Sequence, residues 1–305
     1  MHTLWILIIG SLVGVSCALV GCFLVLRRLA MLGDAISHAV LPGIVIAFML
    51  TASRNTLPML AGAGAFGVLT AWLTDVLIRR GQLQSDAAIG VTFTWLFAVG
   101  VILVSAFTGH VDLDVDCVLH GEILFVPFDT WTVGGVDIGP RAFWILTGVT
   151  LANLAVIGLG YKELKLCAFD AALAAAMGFN VALWHYLLMG LVALTTVAAF
   201  ESVGAILVVA MLIVPANAAY LLTDRLSVML LLAGLFGVLS AVGGYGLATL
   251  IDGSIAAAMA VFSGLLFLAA ALLSPTHGAL GYYLARRARH VSPRETMGSE
   301  PAINA

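Results

Sequence analysis

The sequence predicts an all-α protein, a polytopic transmembrane helical bundle of eight or nine spanning helices. Three observations carry that expectation. Of the 305 residues, 62% are apolar and only 10% charged, with a mean hydropathy of +1.13. A soluble domain carries about 25% charged residues. The apolar residues also fall in runs near the roughly 20 residues that cross a hydrocarbon core at 1.5 Å per residue. Finally, Arg and Lys are distributed very unevenly between the links that join those runs.

Nine runs are legible: 4–26, 35–51, 57–78, 88–107, 141–161, 181–200, 203–222, 226–250 and 254–273. The first lacks a preceding Lys or Arg and is too long for the apolar core of a cleavable leader, so it is expected to remain as a span. The second is short, and the sixth and seventh are separated only by Glu201 and Ser202. Either place could hold a half-helix or re-entrant segment, so the count is eight or nine. The 32 glycines suit helices that approach closely in lipid, where small residues let backbones meet.

Basic residues orient a membrane protein because they are retained on the cytoplasmic side. With the N-terminus outside and nine crossings, Arg27, Arg28, Arg79, Arg80, Lys162, Lys165, Arg225, Arg286, Arg287, Arg289 and Arg294 face the cytoplasm, 11 of the 13 basic residues. Only Arg54 and Arg141 face out. The N-terminus is therefore expected outside and the C-terminus inside, in a bacterial plasma (inner) membrane. Residues 1–285 form the membrane domain, and the polar tail 286–305, with Pro293 and Pro301, is expected to be disordered.

The two lysines, Lys162 and Lys165, follow Tyr161 and Leu164. A phosphate-binding P-loop needs a Lys directly after Gly, so this chain holds no such nucleotide site. A net charge of -3 gives no reason to expect a nucleic-acid partner. Cys17, Cys22, Cys117 and Cys167 lack the short paired spacing of a zinc site and read as small packing residues. No His-Glu-x-x-His motif or Ser/His/Asp pattern marks a membrane-embedded hydrolase.

Two polar features remain. Asp34 and His38 are four residues apart, which places them on one face of a helix about 6 Å apart. Carboxylate and imidazole can together hold a divalent cation, carboxylate suiting Mn²⁺ and imidazole Zn²⁺ or Fe²⁺. An acid within the hydrocarbon costs roughly 2.5–3.5 kcal/mol on insertion scales and so tends to line a polar path. The competing reading is a helix cap and a satisfied histidine. The second feature is the long external segment 108–140, with His110, Asp112, Asp114, Asp116, His120, Glu122, Asp129 and Asp137. It fails as a calcium loop, because Cys117 replaces the required Gly and Ile123 the final Glu. It could instead concentrate cations or meet a basic partner.

Elsewhere Glu201 could face a path or only an interface, Asp252 lies at an outer helix end, and His185 and His277 read as interfacial. In the internal link 162–180, Asp170 is placed to N-cap a short Ala-rich helix over 171–177 that Gly178 would end.

The segment Arg27-Arg28-Leu29-Ala30-Met31-Leu32-Gly33-Asp34-Ala35-Ile36-Ser37-His38-Ala39-Val40-Leu41-Pro42-Gly43 resembles a signature of the permease subunits of zinc/manganese/iron ABC transporters. Glu201 through Ala216, continuing to Leu222-Thr223-Asp224-Arg225, is similar to that family's second hallmark. Phe169-Asp170 through Gly178-Phe179-Asn180 resembles its ATPase-engaging segment. The resemblance runs in order to about Ser274. Asn217 and Ala171 depart from common residues of the pattern, and the external loop resembles the manganese/iron branch more than the zinc branch.

What the resemblance implies is an importer subunit without catalytic residues and without a permanently bound cofactor, its cargo a divalent Mn, Zn or Fe ion. Asp34 and His38 would lie in the metal pathway. Asp170, Ala174 and Gly178 would belong to a coupling segment. Partners would be a cytoplasmic ATP-binding subunit, an extracytoplasmic metal-binding protein and a second permease subunit, identical or similar. Rival readings are an ATP-independent secondary metal transporter and a siderophore or haem permease; the Asp/His pair argues against the bulky-ligand class.

Overall fold

The computed structural model describes residues 2–51, 56–107, 123–133 and 136–274. The acidic residues Asp112, Asp114, Asp116 and Glu122, together with Cys117, His277 and the tail 286–305, lie outside the described residues. Among the described residues are nine spans long and apolar enough to cross a membrane.

The helices are α1 (His2–Leu26), α2 (Ala30–Ala39), α3 (Leu41–Thr51), α4 (Thr56–Gly81), α5 (Ser85–Phe107), α6 (Arg141–Leu159), α7 (Tyr161–Phe169), α8 (Ala171–Ala176), α9 (Val181–Val203), α10 (Ala205–Leu222), α11 (Leu226–Ile251) and α12 (Ile255–Leu273). The short second run is one span made of two helices, α2 and α3, counted together over Ala30–Thr51. Pro42 explains the break: it has no N–H to give the carbonyl of His38 four residues back, and its ring crowds that carbonyl. The sixth and seventh runs are both full spans, of 23 and 18 residues. Their break falls at Gly204, with φ 77° and ψ 169°, a conformation that a side chain rarely tolerates. Glu201 and Ser202, read from sequence as the separator, belong to the last turn of α9.

Two further elements depart from the expectation. The external segment includes a short antiparallel hairpin, β1 (Thr130–Val133) and β2 (Val136–Pro140), preceded by a 3₁₀ turn at Val126–Phe128. The internal link holds an extra helix, α7, which buries Leu164 and Cys167 against the bundle while carrying Lys162 and Lys165 outward.

α1 runs through the middle of the bundle. All seven residues from Cys17 to Phe23 are buried, so lipid does not reach that stretch. Its closest neighbour is α11, where Gly14 and Gly237 meet backbone to backbone; a Cβ on Gly14 would lie 2.7 Å from the Gly237 carbonyl oxygen. Small residues drive such contacts because a lipid-soaked interface gains little from apolar burial. Further along, the side-chain amide of Asn153 on α6 donates to Ser16 Oγ of α1 at 2.9 Å and Thr195 Oγ1 of α9 at 2.8 Å. All three residues are fully buried.

The links sort to two ends. At one end Arg27, Asp75, Arg79, Arg80, Cys167 and His185 converge on a single cavity. At the other, His2 stacks on Phe128 at 4.8 Å between ring centroids, and Asp129, Arg141 and Glu201 line another cavity. Of the eight basic residues described, Arg27, Arg28, Arg79, Arg80, Lys162, Lys165 and Arg225 sit at the first end and Arg141 at the second.

Candidate functional site

α2 carries the Asp34/His38 pair. Its apolar face buries Leu32, Ala35, Ile36 and Ala39, which turns the intervening positions outward. His38 Nε2 lies 3.9 Å from Asp34 Oδ1, and the two side chains retain 35% and 42% of their exposure. Ser37, between them, turns inward and donates to the Asp34 carbonyl at 2.6 Å. The pair is thus open on one side. Aromatic rings wall the imidazole: Phe93 and Phe97 of α5 at centroid distances of 5.7 and 6.1 Å, and Phe200 of α9 at 6.2 Å. The three rings cover one side of the imidazole and leave the side toward Asp34 open.

Among the described residues no cluster of three or more His, Cys, Asp or Glu side chains could hold a metal. Two donors on this chain fall short of the four to six ligands that transition metals take. Glu201 does not complete the set. It follows Phe200, whose ring touches His38, but its own side chain opens on a separate cavity of about 200 Å³ with Asp129 and Arg141.

The link segment takes the geometry its sequence suggests. Asp170 Oδ1 accepts from the Leu173 amide at 2.9 Å, and α8 ends with Gly178 at φ 87°. The Gly178 and Phe179 amides bond back to the Ala175 and Ala174 carbonyls, both at 3.0 Å, which closes the C-terminus. Ala174 faces the bundle, fully buried, whereas Phe169, Leu173 and Met177 are exposed. The three side chains form an apolar row exposed at the basic end.

A third constellation escaped the sequence reading. His185, near the start of α9, has Arg27 Nη1 3.3 Å from its Nδ1 and Asp75 Oδ2 3.5 Å from its Nε2; the Tyr186 hydroxyl donates to Asp75 at 3.4 Å. These residues line a cavity of about 600 Å³ that α8 bounds through Ala171 and Ala175. Burial disfavours the charge on the Arg27 guanidinium, lowering it from its usual value. The Cys167 thiol is pushed up, by burial first, with Arg27 pulling it down and Glu163 adding to the rise. The signal in the sequence was Asp75, an acid inside the apolar run 57–78, the kind of residue that needs a partner in a membrane.

Nine spans among the described residues, links sorted to two ends, and an Asp/His pair on a broken helix define a multi-pass membrane protein. The chain belongs to the ABC 3 transport family, which it matches over residues 2–274. It is 56% identical over 276 residues to the manganese transport system membrane protein MntD of Bacillus subtilis, covering 90% of this chain and 93% of that protein. It is 43% identical to the zinc transport system membrane protein TroD of Treponema pallidum, covering 94% of this chain and 78% of that one. Among solved structures, PsaBC from Streptococcus pneumoniae in complex with Fab matches with a TM-score of 0.76 at 34% identity, over 93% of this chain and 95% of that chain.

Proposed function

We propose that this chain is the membrane path of an ABC importer for divalent transition metal ions, with manganese the preferred cargo. The observation that carries the reading is the Asp34/His38 pair: one carboxylate and one imidazole, a turn apart on a broken helix, exposed on one side and walled by phenylalanines on the other. Mixed oxygen and imidazole donors suit Mn²⁺, Fe²⁺ and Zn²⁺. That this chain is similar to transport proteins named for manganese and zinc supports the first and third of these, and iron remains within the chemistry of the pair.

A half-shell of two ligands invites completion by symmetry. A second permease subunit, identical or similar, facing the open side would bring a second Asp/His pair and make four ligands. The set would open when the subunits part, so the ion is held in one state and released in the other. Ligation of this modest strength suits a path, where binding must permit exit.

The energy comes from elsewhere, since the chain has no P-loop lysine. A separate cytoplasmic ATP-binding subunit docks on the segment around Asp170, Ala174 and Gly178, with Leu173 and Met177 as its apolar contacts. The basic end faces the cytoplasm, as cationic links do, which puts the hairpin end and Glu201 toward an extracytoplasmic metal-binding protein. The rim of Asp129 and Glu201 attracts the delivered cation.

The test is reconstitution of the permease with its ATPase in proteoliposomes, measuring Mn²⁺ accumulation with and without ATP. ATP-dependent Mn²⁺ uptake that Zn²⁺ or Fe²⁺ competes against supports the proposal. Uptake indifferent to ATP would instead identify a secondary transporter.

A further inference from the structure

The Arg27–His185–Asp75 chain connects the parts of the molecule that transport must couple. Arg27 lies three positions before the start of α2, and α2 bears Asp34 and His38. His185 lies in the first turns of α9, which begins directly after the α8 segment. Asp75 and Arg79 come from α4, and Glu163 and Cys167 approach from α7.

The chemistry of this chain fixes a protonation state. A guanidinium only donates, so His185 Nδ1, 3.3 Å from Arg27 Nη1, must be the acceptor. The ring is then neutral, with its proton on Nε2 facing Asp75. The remaining Arg27 donors, Nε and Nη2, are buried without a partner among the described residues. A buried cation held by one contact to a neutral ring is a weak joint, since an incompletely satisfied buried charge carries an uncompensated desolvation cost. Weak joints are the ones that part when their elements move.

We propose that the Arg27–His185 contact transmits movement of the 170–178 segment to the metal-bearing helix α2, and that it holds only while His185 is neutral. The joint rests on the functional reading above. A proton arriving at Nδ1 removes the acceptor that Arg27 meets there and sets two cations against each other. Of the charged and titratable groups around His185, Arg27, Arg79 and Arg80 line the same cavity, Asp75 lies 3.5 Å from Nε2, and Tyr186 bonds to Asp75. The sign is therefore fixed: the contact is present at higher pH and lost as pH falls through the range where His185 takes its proton. A plain imidazolium–carboxylate pair would respond in the opposite direction.

The experiment uses the permease–ATPase complex in proteoliposomes and reads Mn²⁺ transported per ATP hydrolysed, from about pH 8 to about pH 5.5, across the imidazole range. The wild-type ratio is expected to fall several-fold toward acid. His185→Gln offers Arg27 an acceptor oxygen but takes no proton, so it should stay coupled and lose the acid sensitivity. Arg27→Gln should hydrolyse ATP with a several-fold lower ratio at every pH, and Arg27→Lys should recover part of the loss. An unchanged ratio in Arg27→Gln, or acid sensitivity retained in His185→Gln, overturns the joint. If Arg27→Gln does not assemble, the His185→Gln profile decides alone. Wild-type complex that shows no ATP-driven uptake at all strikes the functional reading, whereas coupled uptake with an acid-insensitive ratio strikes only the joint.

Discussion

His38 Nε2 sits 3.9 Å from Asp34 Oδ1, one helical turn apart on α2 and immediately before the break that Pro42 imposes. The carboxylate and imidazole are thus held at the end of a short helix rather than in the middle of a continuous one.

Replacing either member of the pair removes half of what this chain supplies to the ion. Asp34→Ala and His38→Ala should each lower Mn²⁺ uptake by at least tenfold, since even supporting residues of metal sites are worth about 10–100-fold. Complex assembly, followed by co-purification with the ATPase, should be unchanged because both side chains are half exposed. Normal uptake in both variants would move the ion path elsewhere.

Asp170→Ala removes the N-cap of α8 and should cost that helix about 1 kcal/mol. With no partner bound, the loss stays local, visible as faster amide exchange over 171–178. Leu173→Asp should go further and weaken co-purification with the ATPase, because it places a charge in the exposed apolar row. Undiminished binding in Leu173→Asp would locate the docking surface elsewhere.

Asn153→Ala deletes two buried hydrogen bonds and leaves Ser16 and Thr195 unpaired in the bundle. Interhelical bonds in membranes average about 0.6 kcal/mol each, so the expected loss is about 1 kcal/mol. Steric trapping or thermal melting in detergent reads it. A loss several-fold larger would mean that the network also orders α6 against α9.

Gly204→Ala forces a Cβ onto a backbone with φ 77° and should destabilise the α9–α10 turn by about 1–3 kcal/mol. The melting temperature of the purified protein should fall, with metal binding retained in the protein that remains folded. An unchanged melting temperature would show that the turn relaxes to another conformation.

Cys167 offers a check on the basic end. Its thiol is raised by burial, so little thiolate exists at neutral pH, and alkylation should be slow until the pH is well above the usual thiol range. Mass spectrometry of iodoacetamide-treated protein measures this. Rapid labelling near neutrality would mean that α7 opens away from the bundle.

Much of the fold was legible because a membrane span announces itself by length and apolarity alone, without knowledge of its neighbours. All nine runs became spans, and the cap at Asp170 was legible because its hydrogen bond is local. The hairpin 130–140 and helix α7 were missed, since both are short elements whose stability comes from packing against the bundle. The exact break between α9 and α10 was misplaced by the polar pair Glu201-Ser202, when backbone conformation at Gly204 decides it.

The same division separates the two polar sites. Asp34 and His38 could be paired from sequence because four residues on a helix fix their separation whatever else surrounds them. Arg27, Asp75 and His185 lie 48 and 110 residues apart along the chain, so no periodicity relates them and only the packing of α1, α4 and α9 brings them within 3.5 Å. By itself the sequence determined the spans and the local pairing of Asp34 with His38, both set by hydrophobicity and helical spacing. The tertiary structure decided which buried charges meet, because a charge inside a bundle must find its partner wherever the helices happen to place one.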